Sequence, residues 1–412
     1  MLLTRSTPGL RRNWPQFSLL VLINAFVGGM VGLERTILPE IAETEFGIAA
    51  RSAIFSFIVV FGITKALANY VAGRFAQQYG RKNMLILGWI FGIPVPFMLM
   101  WAPDWNWIVA ANVLLGINQG LAWSANVIMK IDLAGQKDRG LAMGLNEFAG
   151  YLAVAIVAFL TGWIATEFGL RPYPFYLGIG LAVAGLLMSI FLVRDTAAFV
   201  QHEASSTSMQ PRGERIFWNV SWGDRNLQAV SQAGMFTNFK DGMAWGVFPL
   251  LLMASGLSLA QTGIVVAVYP AFWGLLQIAT GKLSDFTGRK AMLWSGLFVQ
   301  GASLIGFSLV SPSASVFASG GLFWMYLILA ALLGTGTAMV YPTFLAAIGD
   351  LTHPVDRAES VGVFRLWRDG GYALGAIFAG VIADRAGLEL TVLFTGVLVL
   401  FSGAWLLVRY RG

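Results

Sequence analysis

The sequence contains no cysteine and only two histidines, His202 and His353, among its 412 residues. Without thiols, the chain cannot form disulfides, thiolate nucleophiles, iron–sulfur clusters or cysteine-bound zinc sites. Two histidines in separate polar stretches supply neither a multi-histidine metal site nor a buried Ser-His-Asp triad. We therefore expect no cofactor, no metal and no enzymatic activity.

Charged residues are also scarce, since they make up 12% of the chain against about 25% in soluble domains. Hydrophobic residues reach 57%, against roughly 45–50%. A bilayer core needs roughly 20 apolar residues for each helix, so twelve spans would take about 240 residues. The composition therefore predicts an all-α integral membrane protein.

Apolar runs bounded by charge, proline or glycine predict twelve transmembrane helices. They lie near residues 16–40, 52–73, 83–102, 106–129, 141–166, 173–193, 227–254, 260–281, 291–311, 321–348, 359–383 and 389–408. The longest polar stretch, 195–226, lies near the midpoint of the chain. This pattern predicts an N-terminal six-helix half at 1–194, a linker at 195–226 and a C-terminal six-helix half at 227–412.

Positive charges fall mainly on one side of this map. Of the 27 Lys and Arg residues, five lie within spans, and three, Arg51, Arg171 and Arg385, lie on the other side. The remaining nineteen are Arg5, Arg11, Arg12, Arg74, Arg81, Lys82, Lys130, Lys137, Arg139, Arg194, Arg212, Arg215, Arg225, Lys282, Arg289, Lys290, Arg357, Arg409 and Arg411. The positive-inside rule then predicts a multi-pass protein of the plasma (inner) membrane, with both termini in the cytoplasm. The net charge of +6 reflects this topology, and we expect the lipid bilayer rather than nucleic acid as a partner.

The two predicted halves repeat each other. At an offset of 218 residues, Leu114-Leu115-Gly116 aligns with Leu332-Leu333-Gly334, Asp132 with Asp350, and Asp138-Arg139 with Asp356-Arg357. Repeated six-helix halves are typical of secondary transporters, whose substrate site lies between the repeats near the bilayer midplane.

Two loops at equivalent places in the repeat carry one signature. They read GRFAQQYGRK, with Gly73, Gly80 and Arg81, and GKLSDFTGRK, with Gly281, Asp285, Gly288 and Arg289. Both resemble the Gly-x-Leu-Ala-Asp-Arg-x-Gly-Arg-Lys loop of the major facilitator superfamily, found between the second and third spans and again between the eighth and ninth. The resemblance covers essentially the whole chain. It implies twelve transmembrane helices in two pseudo-symmetric halves that alternate access to one solute site.

Three departures from the family pattern affect coupling and direction. Gln77 and Gln78 stand where the family usually has Asp and Arg, so the first loop has lost its carboxylate. Gly116 stands where the fourth span often carries an arginine associated with proton coupling. The fifth span has glycines but lacks the Gly-Pro pair common in antiporters, so export is only slightly preferred.

We expect a secondary active transporter that moves a small organic solute as a monomer, with protons as the coupling ion. The alternative is uptake or facilitated diffusion of an organic anion. Two rival classes are a non-transporting membrane sensor and a membrane enzyme on the same fold. An enzyme should show a catalytic constellation and a sensor a long signalling extension, and we expect neither.

Nine charged residues fall within the predicted spans. A charge at the membrane centre costs roughly 2.5–3.5 kcal/mol, so these side chains must face protein or water. Five are cationic and four anionic, so pairing leaves one positive charge, which is consistent with an anionic or amphipathic solute. The nine are Glu34, Arg35, Lys65, Glu147, Lys240, Asp241, Arg365, Arg368 and Asp369.

Polar and aromatic residues also form stripes at helical spacing. The stripes comprise Asn238, Asp241 and Trp245 on the seventh span, and Gln119, Trp123, Asn126 and Lys130 on the fourth. The repeat places Thr337 and Tyr341 of the tenth span at the positions of Gln119 and Trp123. The family resemblance implies that these spans line the central cavity, whereas the alternative is polar packing satisfied within one half.

Among the embedded carboxylates, Asp241 lies at the membrane depth that best suits a substrate or coupling residue. It lies about 14 residues, or roughly 21 Å of helix, from the start of its span, which is midplane depth. We predict the same kind of role for Lys240, Glu34 and Arg35. The alternative for Asp241 is that it only balances the charge of Lys240.

The other embedded charges are predicted to join the halves. The resemblance implies that the second span packs against the eleventh, which would pair Lys65 with Asp369. The alternative is pairing of Arg365 or Arg368 with Asp369 along their own helix. Glu147 occupies the repeat position of Arg365.

The signature loops are predicted to gate the transporter from the cytoplasmic side. By repeat symmetry, Asp285 should lie near the start of the fifth span, where Arg139 and a helix N-terminus are available. The first loop should place neutral Gln77 near Arg357. We therefore expect an asymmetric latch.

Overall fold

The computed structural model describes residues 7–48, 50–310 and 321–411, with the side chains at 50–55 outside that description. Arg5, the side chain of Arg51 and position 311 of the ninth predicted span thus lie outside the described part of the chain. Within it, the structure is helical and contains no strand.

The N-terminal half consists of six helical spans, three of them interrupted. The first span is Trp14–Arg35 followed by Leu38–Phe46, the second Ala50–Tyr79, the third Arg81–Gly92 with Pro94–Met100, the fourth Trp105–Asn118 and Ser124–Ala134, the fifth Arg139–Phe168 and the sixth Tyr173–Phe191. Pro94 begins the second piece of the third span, since proline has no N–H to continue the helical ladder.

The described residues of the C-terminal half form six uninterrupted helices. They are Arg225–Ala254, Leu259–Thr287, Arg289–Leu309, Gly321–Leu351, Arg357–Ala386 and Leu388–Arg409. A linker helix, Ala197–Ser206, lies between the halves in sequence. In each signature loop a glycine with positive φ begins the next span, with Gly80 at 88° and Gly288 at 87°, so the sequence repeat is also a geometric repeat.

Ten helical stretches of the described residues are long and apolar enough to cross a membrane. The other two predicted spans, the seventh and the eleventh, are 30-residue helices at Arg225–Ala254 and Arg357–Ala386. Their embedded charges, including Lys240 and Asp241 on the seventh, lower their hydropathy. Both helices carry buried polar and charged side chains, among them Lys240 and Asp241 on the seventh and Arg365 and Asp369 on the eleventh.

The surface is apolar and the interior is partly polar. Phe159 is 73% exposed and Leu275 is 65% exposed, whereas Asn69 and Lys240 are fully buried. Apolar side chains on the outside satisfy lipid, while polar groups must find partners within the protein or its cavity. The fold is therefore that of a multi-pass membrane protein.

Among the described residues, the most extensive contacts between the halves are those of the second span with the eleventh and of the fifth with the eighth. At these crossings Gly73 contacts Gly362, and Gly140 contacts Gly281, so closely that a Cβ atom would collide with the opposite backbone. Small residues allow this approach. We call the face of the molecule with the linker and the two signature loops the linker side, and the opposite face the far side.

Candidate solute and coupling site

Asp241 lies at the centre of a buried polar cluster. Its carboxylate pairs with the ammonium of Lys240 at 2.7 Å and accepts a hydrogen bond from Tyr341 at 2.8 Å. It also accepts the hydroxyl of Tyr269, from the eighth span. Three spans of the C-terminal half therefore converge on one carboxylate.

Lys240 is fully buried and keeps two polar partners besides Asp241. Its ammonium lies 2.6 Å from the hydroxyl of Tyr269 and 2.9 Å from that of Thr337. The sequence left open whether Asp241 balances Lys240, and the structure brings the two together. A buried ion pair of this kind survives only with further hydrogen bonds, which Tyr269 and Thr337 supply.

Asn238 connects this pair to a second charged group. It accepts a hydrogen bond from Tyr341 and donates one to Asp369 at 3.1 Å. Asp369 in turn accepts from Asn69 of the second span at 2.7 Å. The polar chain thus runs without interruption from Lys240 in the C-terminal half into the N-terminal half.

Three cations surround Asp369. Arg368 binds it at 2.8 Å, Arg365 approaches to 3.7 Å, and Lys65 of the second span lies 3.8 Å away. The sequence offered an ion pair between halves and a pairing along the eleventh span as alternatives. Both are present, because one carboxylate lies between the two helices.

Four aromatic rings from both halves pack beside this cluster. Tyr151 of the fifth span lies 5.7 Å from Trp123, 4.3 Å from Trp273 and 6.3 Å from Tyr341, measured between ring centroids. Lys65 lies 5.3 Å above the ring of Trp123. The rings therefore form an apolar wall next to the charges, as in sites that bind amphipathic organic ligands.

A second polar group lies in the N-terminal half around Glu147. This side chain is fully buried and accepts hydrogen bonds from Asn146 at 2.7 Å and from Trp123 at 3.4 Å. Lys130 donates to Asn146 at 2.6 Å. Among the described residues, the second carboxylate oxygen of Glu147 has no hydrogen-bond partner, so Glu147 retains capacity for another ligand.

The fourth-span stripe adopts a different geometry from the one its spacing predicts. A π-helical turn covers Gln119–Trp123, and the wider turn rotates the residues that follow relative to those before. Gln119 is fully buried and donates to the Val27 carbonyl at 2.7 Å, while Asn126 donates to the Ala122 carbonyl. Their amide nitrogens thus make the within-half packing contacts that the sequence left as the alternative.

Three other predicted residues lie apart from the cluster. Glu34 is buried and accepts from Asn112 at 3.1 Å, and Arg35 is half-buried at the end of its helix. Trp245 lies one turn beyond Asp241 toward the far side and is 42% exposed. The structure brings none of the three into the hydrogen-bonded cluster around Asp241.

The second signature loop holds the start of the fifth span. Asp285 accepts hydrogen bonds from the backbone N–H groups of Gly140 at 2.8 Å and Leu141 at 3.1 Å, and its carboxylate also pairs with Arg289 at 2.8 Å. A carboxylate at a helix N-terminus satisfies free N–H groups and faces the positive end of the helix dipole. In the first loop, Gln77 is exposed.

The linker side carries a symmetric set of ion pairs. Asp350 pairs with Arg289 of its own half at 2.9 Å and with Arg139 of the other half at 2.8 Å. Asp132, its repeat partner, pairs with Arg81 of its own half at 3.4 Å and with Arg357 of the other half at 3.3 Å. The six residues are related by the internal repeat.

Glu203 of the linker helix binds both arginines that cross between halves. Its carboxylate lies 2.7 Å from Arg139 and 2.8 Å from Arg357. Burial opposes ionisation of Glu203, but the hydrogen bonds and charges of Arg357 and Arg139 outweigh it and hold the pKa of this carboxyl below its ordinary value. The linker is therefore part of the contact that closes the linker side.

The inter-half hydrogen bonds and ion pairs of the described residues extend from the linker side to the depth of Asp369. Beyond that depth, Trp245 is exposed, and nothing lies within 4 Å of where a Cβ atom of Gly246 would be. The structure is thus a conformation in which the linker side is closed.

Sequence reasoning missed Tyr269, Asn69, Tyr151 and Glu203. Asn69 follows Lys65 by four residues, so its place on the same helix face was available as a signal. Tyr269 and Tyr151 are aromatic residues within apolar runs, a pattern shared with ordinary packing residues. Glu203 lies in the polar linker, where local spacing gives no signal for its contacts with Arg139 and Arg357.

The chain combines two repeated six-helix halves, a polar cluster between them and a signature loop in each half. The model of the Major Facilitator Superfamily matches residues 18–236 and, a second time, residues 230–412. The chain belongs to the Major Facilitator Superfamily. As a major facilitator it is a transporter and not an enzyme.

Curated relatives match along nearly the whole chain. One is the proton-coupled antiporter flippase LtaA of Staphylococcus haemolyticus, which is 25% identical over 99% of this chain and 97% of its own length. Another is the multi-drug resistance efflux pump PmrA of Streptococcus pneumoniae, 22% identical over 94% of each. By their names, both relatives are transporters.

Solved structures share the fold. The human organic anion transporter MFSD10 aligns with a TM-score of 0.77 at 15% identity, over 95% of this chain and 98% of its own. The proton:xylose symporter XylE aligns with a TM-score of 0.70 at 16% identity over 95% of each chain. At these identities the likeness establishes the major facilitator fold alone.

Proposed function

We propose that this protein is a proton-coupled secondary transporter that exports a small organic solute by alternating access. The observation that carries the proposal is the buried polar chain Lys240, Asp241, Asn238 and Asp369, which joins the two halves through Asn69 and Lys65. A solute or proton bound there would alter contacts on both halves at once. That coupling of binding to the relative position of the halves is what alternating access requires.

Asp241 is the proposed coupling carboxylate. A proton on Asp241 would remove its charge from the pair with Lys240 and change the hydrogen bonds of Tyr269 and Tyr341. Because Tyr341 also binds Asn238, the change would reach Asp369. Protonation at one point would thereby alter the contact between halves.

The names of two relatives support export and proton coupling. One is named a proton-coupled antiporter and another an efflux pump. The aromatic wall of Trp123, Tyr151, Trp273 and Tyr341 suits an amphipathic solute. Asn126, Gln119 and Thr337 then act mainly as supports of this wall and of Lys240.

The proposed topology places the linker side in the cytoplasm of a cell with a plasma (inner) membrane. The charge split of the sequence supports this orientation. Boundaries at 194 and 227 separate two six-helix halves that move relative to each other, and the functional unit is a monomer. The conformation seen then opens away from the cytoplasm.

The deciding experiment compares Asp241→Asn with the double variant Lys240→Gln/Asp241→Asn in proteoliposomes. Ethidium and carboxyfluorescein serve as cationic and anionic probes within a solute panel, with an imposed pH gradient. We expect Asp241→Asn to fold, because Lys240 keeps Tyr269 and Thr337, and to lose gradient-driven transport by at least about tenfold. If Asp241 only balances Lys240, the double variant restores transport.

Asp384→Asn is the matched control, since Asp384 is an exposed carboxylate near the far end of the eleventh span. It should transport like the wild type. Normal gradient-driven transport by Asp241→Asn would remove this residue from coupling. Labelling of the linker from outside intact cells would contradict the proposed orientation.

A further inference from the structure

The charges around Asp369 do not balance. Lys65, Arg365 and Arg368 all lie within 4 Å of this single carboxylate. Only Arg368 makes a close ion pair, at 2.8 Å, and the other two cations stay at 3.7 Å or more. Glu147, the next buried carboxylate, forms no ion pair among the described residues and would still leave one positive charge in excess.

Arg365 is the least satisfied of the three cations. Its side chain is fully buried, and none of its three guanidinium nitrogens has a hydrogen-bond partner among the described residues. A guanidinium presents five N–H donors in a fixed planar fork, and leaving them unpaired in a buried site is costly. A buried arginine of this kind is suited to a ligand that brings oxygen acceptors.

The neighbours of Arg365 favour an anion over a neutral acceptor. Arg368 uses one nitrogen on Asp369 and lies 5.3 Å from the ring of Tyr341, while Lys65 lies over Trp123. The excess charge therefore lies next to the aromatic wall. An oxyanion on an organic scaffold would meet both features at once.

We propose that Arg365, with Lys65 and Arg368, binds a carboxylate or phosphate group carried by the transported molecule. The planar fork of Arg365 can donate hydrogen bonds to two oxygens of such a group in a bidentate contact. Lys65 and Arg368 add charge from opposite halves, so the bound anion draws the second and eleventh spans together. This assignment rests on the proposed transport function and names the chemical class of its substrate.

The test measures anion binding without a transport assay. The purified full chain is heated in detergent with inorganic phosphate, acetate or citrate up to 50 mM, at an ionic strength held constant with sodium chloride. At tenfold excess over Kd, binding should raise Tm by about 1–2 °C with at least one oxyanion, along a saturating curve. A parallel titration with phosphatidylglycerol distinguishes a soluble anion from a lipid phosphate.

Arg365→Gln should abolish the saturating rise, while Arg365→Lys retains the charge without the fork and should keep only part of it. Arg385→Gln, an exposed arginine on the same helix, should behave like the wild type. If Arg365→Gln does not fold, Lys65→Gln replaces it and should weaken binding about tenfold. An equal rise in Arg365→Gln or Lys65→Gln, or no saturating rise in the wild type with any anion or lipid, would overturn the assignment.

The two proposals can fail separately. If no anion binds but gradient-driven transport of ethidium depends on Asp241, the transport function stands and the anion site is wrong. If phosphate binds through Arg365 but no solute of the panel moves with the pH gradient, the anion site stands and proton-coupled transport is wrong.

Discussion

The two signature loops occupy equivalent positions but hold their neighbouring helices in different ways. In the C-terminal half, Asp285 is buried and caps the start of the fifth span through two backbone N–H groups. In the N-terminal half, Gln77 is exposed, and Arg74 instead pairs with Glu359 of the eleventh span at 2.8 Å. One half therefore relies on a buried helix cap, and the other on an ion pair whose arginine is 47% exposed.

The ion pairs just behind these loops are more symmetric in pattern than in burial. Asp132 and its two arginines are almost fully buried, with side chains at most 3% exposed. Asp350 is 29% exposed, and Arg289 is 10% exposed. The two halves thus share the same pairing, but the two sites differ in their contact with water. Contact with water reduces the free energy that is lost when an ion pair is broken.

Asp132→Asn should have the largest effect, because it removes one charge from between two buried arginines. Leaving the buried guanidinium of Arg81 unpaired costs about 3–5 kcal/mol, so we expect poor accumulation or a Tm lowered by about 3–6 °C. Asp350→Asn should cost clearly less, since water reaches the site and Arg289 keeps its pair with Asp285. Thermal unfolding of both variants beside Asp384→Asn measures the difference, and equal losses would contradict the role of burial.

Asp285→Asn should have the next largest effect, and it should act on transport more than on folding. Loss of a carboxylate at a helix N-terminus costs about 1–2 kcal/mol, which changes a two-state equilibrium about 5- to 30-fold. We expect the linker-side-closed state to lose population and the transport rate to fall. Gln77→Ala is the matched control in the other loop, and a wild-type rate for Asp285→Asn would refute the asymmetric latch.

The fold could be predicted from sequence because lipid imposes a simple rule on it. Long apolar runs, charge asymmetry and the repeat are local or one-dimensional signals, and repeat symmetry placed Asp285 at the start of the fifth span before any geometry was known. The cluster itself was only partly predictable. Helical spacing identified Asn238 and Asp241, but it could not select Tyr269 from many similar apolar-run aromatics.

The fourth-span stripe shows why spacing alone fails at such places. The spacing of Gln119 and Asn126 puts them on one face only in a regular α-helix. One π-helical turn at Gln119–Trp123 changes the angle between the two side chains around the helix axis. Glu203 was missed for another reason. A carboxylate in a polar linker has no periodicity, and its importance arises only from two arginines far away in sequence.

Substitution of Glu203 tests whether the linker helps to hold the two halves closed on the linker side. Its lowered pKa means that the ionised form, which binds Arg139 and Arg357, is favoured by the fold. The contribution of Glu203 to the stability of the fold is therefore present at pH values above its ordinary pKa of 4.5. It is lost as the pH falls through the lower pKa that Glu203 has in the folded protein. At pH 7, Glu203→Gln should open the linker side. Acidification should open the linker side of this variant less than it opens that of the wild type.

Because the chain has no cysteine, the opening can be measured with one introduced thiol. Val200→Cys, at a buried position of the linker helix, should be labelled several-fold faster in the Glu203→Gln background at pH 7. Gln201→Cys, at an exposed position of the same helix, is the control and should be labelled at the same rate in both backgrounds. Unchanged labelling at Val200 would mean that the linker merely lies on a closure made by the halves themselves.

The smallest effect is expected for the pair that replaced the missing cap, Arg74 with Glu359. An ion pair with an arginine this exposed contributes at most about 1 kcal/mol and is screened by salt. Arg74→Gln should therefore lower the transport rate less than Asp285→Asn does. The difference in rate between Arg74→Gln and the wild type should shrink when both are assayed in high salt.

A second substitution, Gln77→Asp, should offer a carboxylate to the N–H groups at the start of the eleventh span, as Asp285 does for the fifth span. Added to Arg74→Gln, it should recover the lost transport rate. If Arg74→Gln is as damaging as Asp285→Asn, the two loops are energetically equivalent despite their different chemistry.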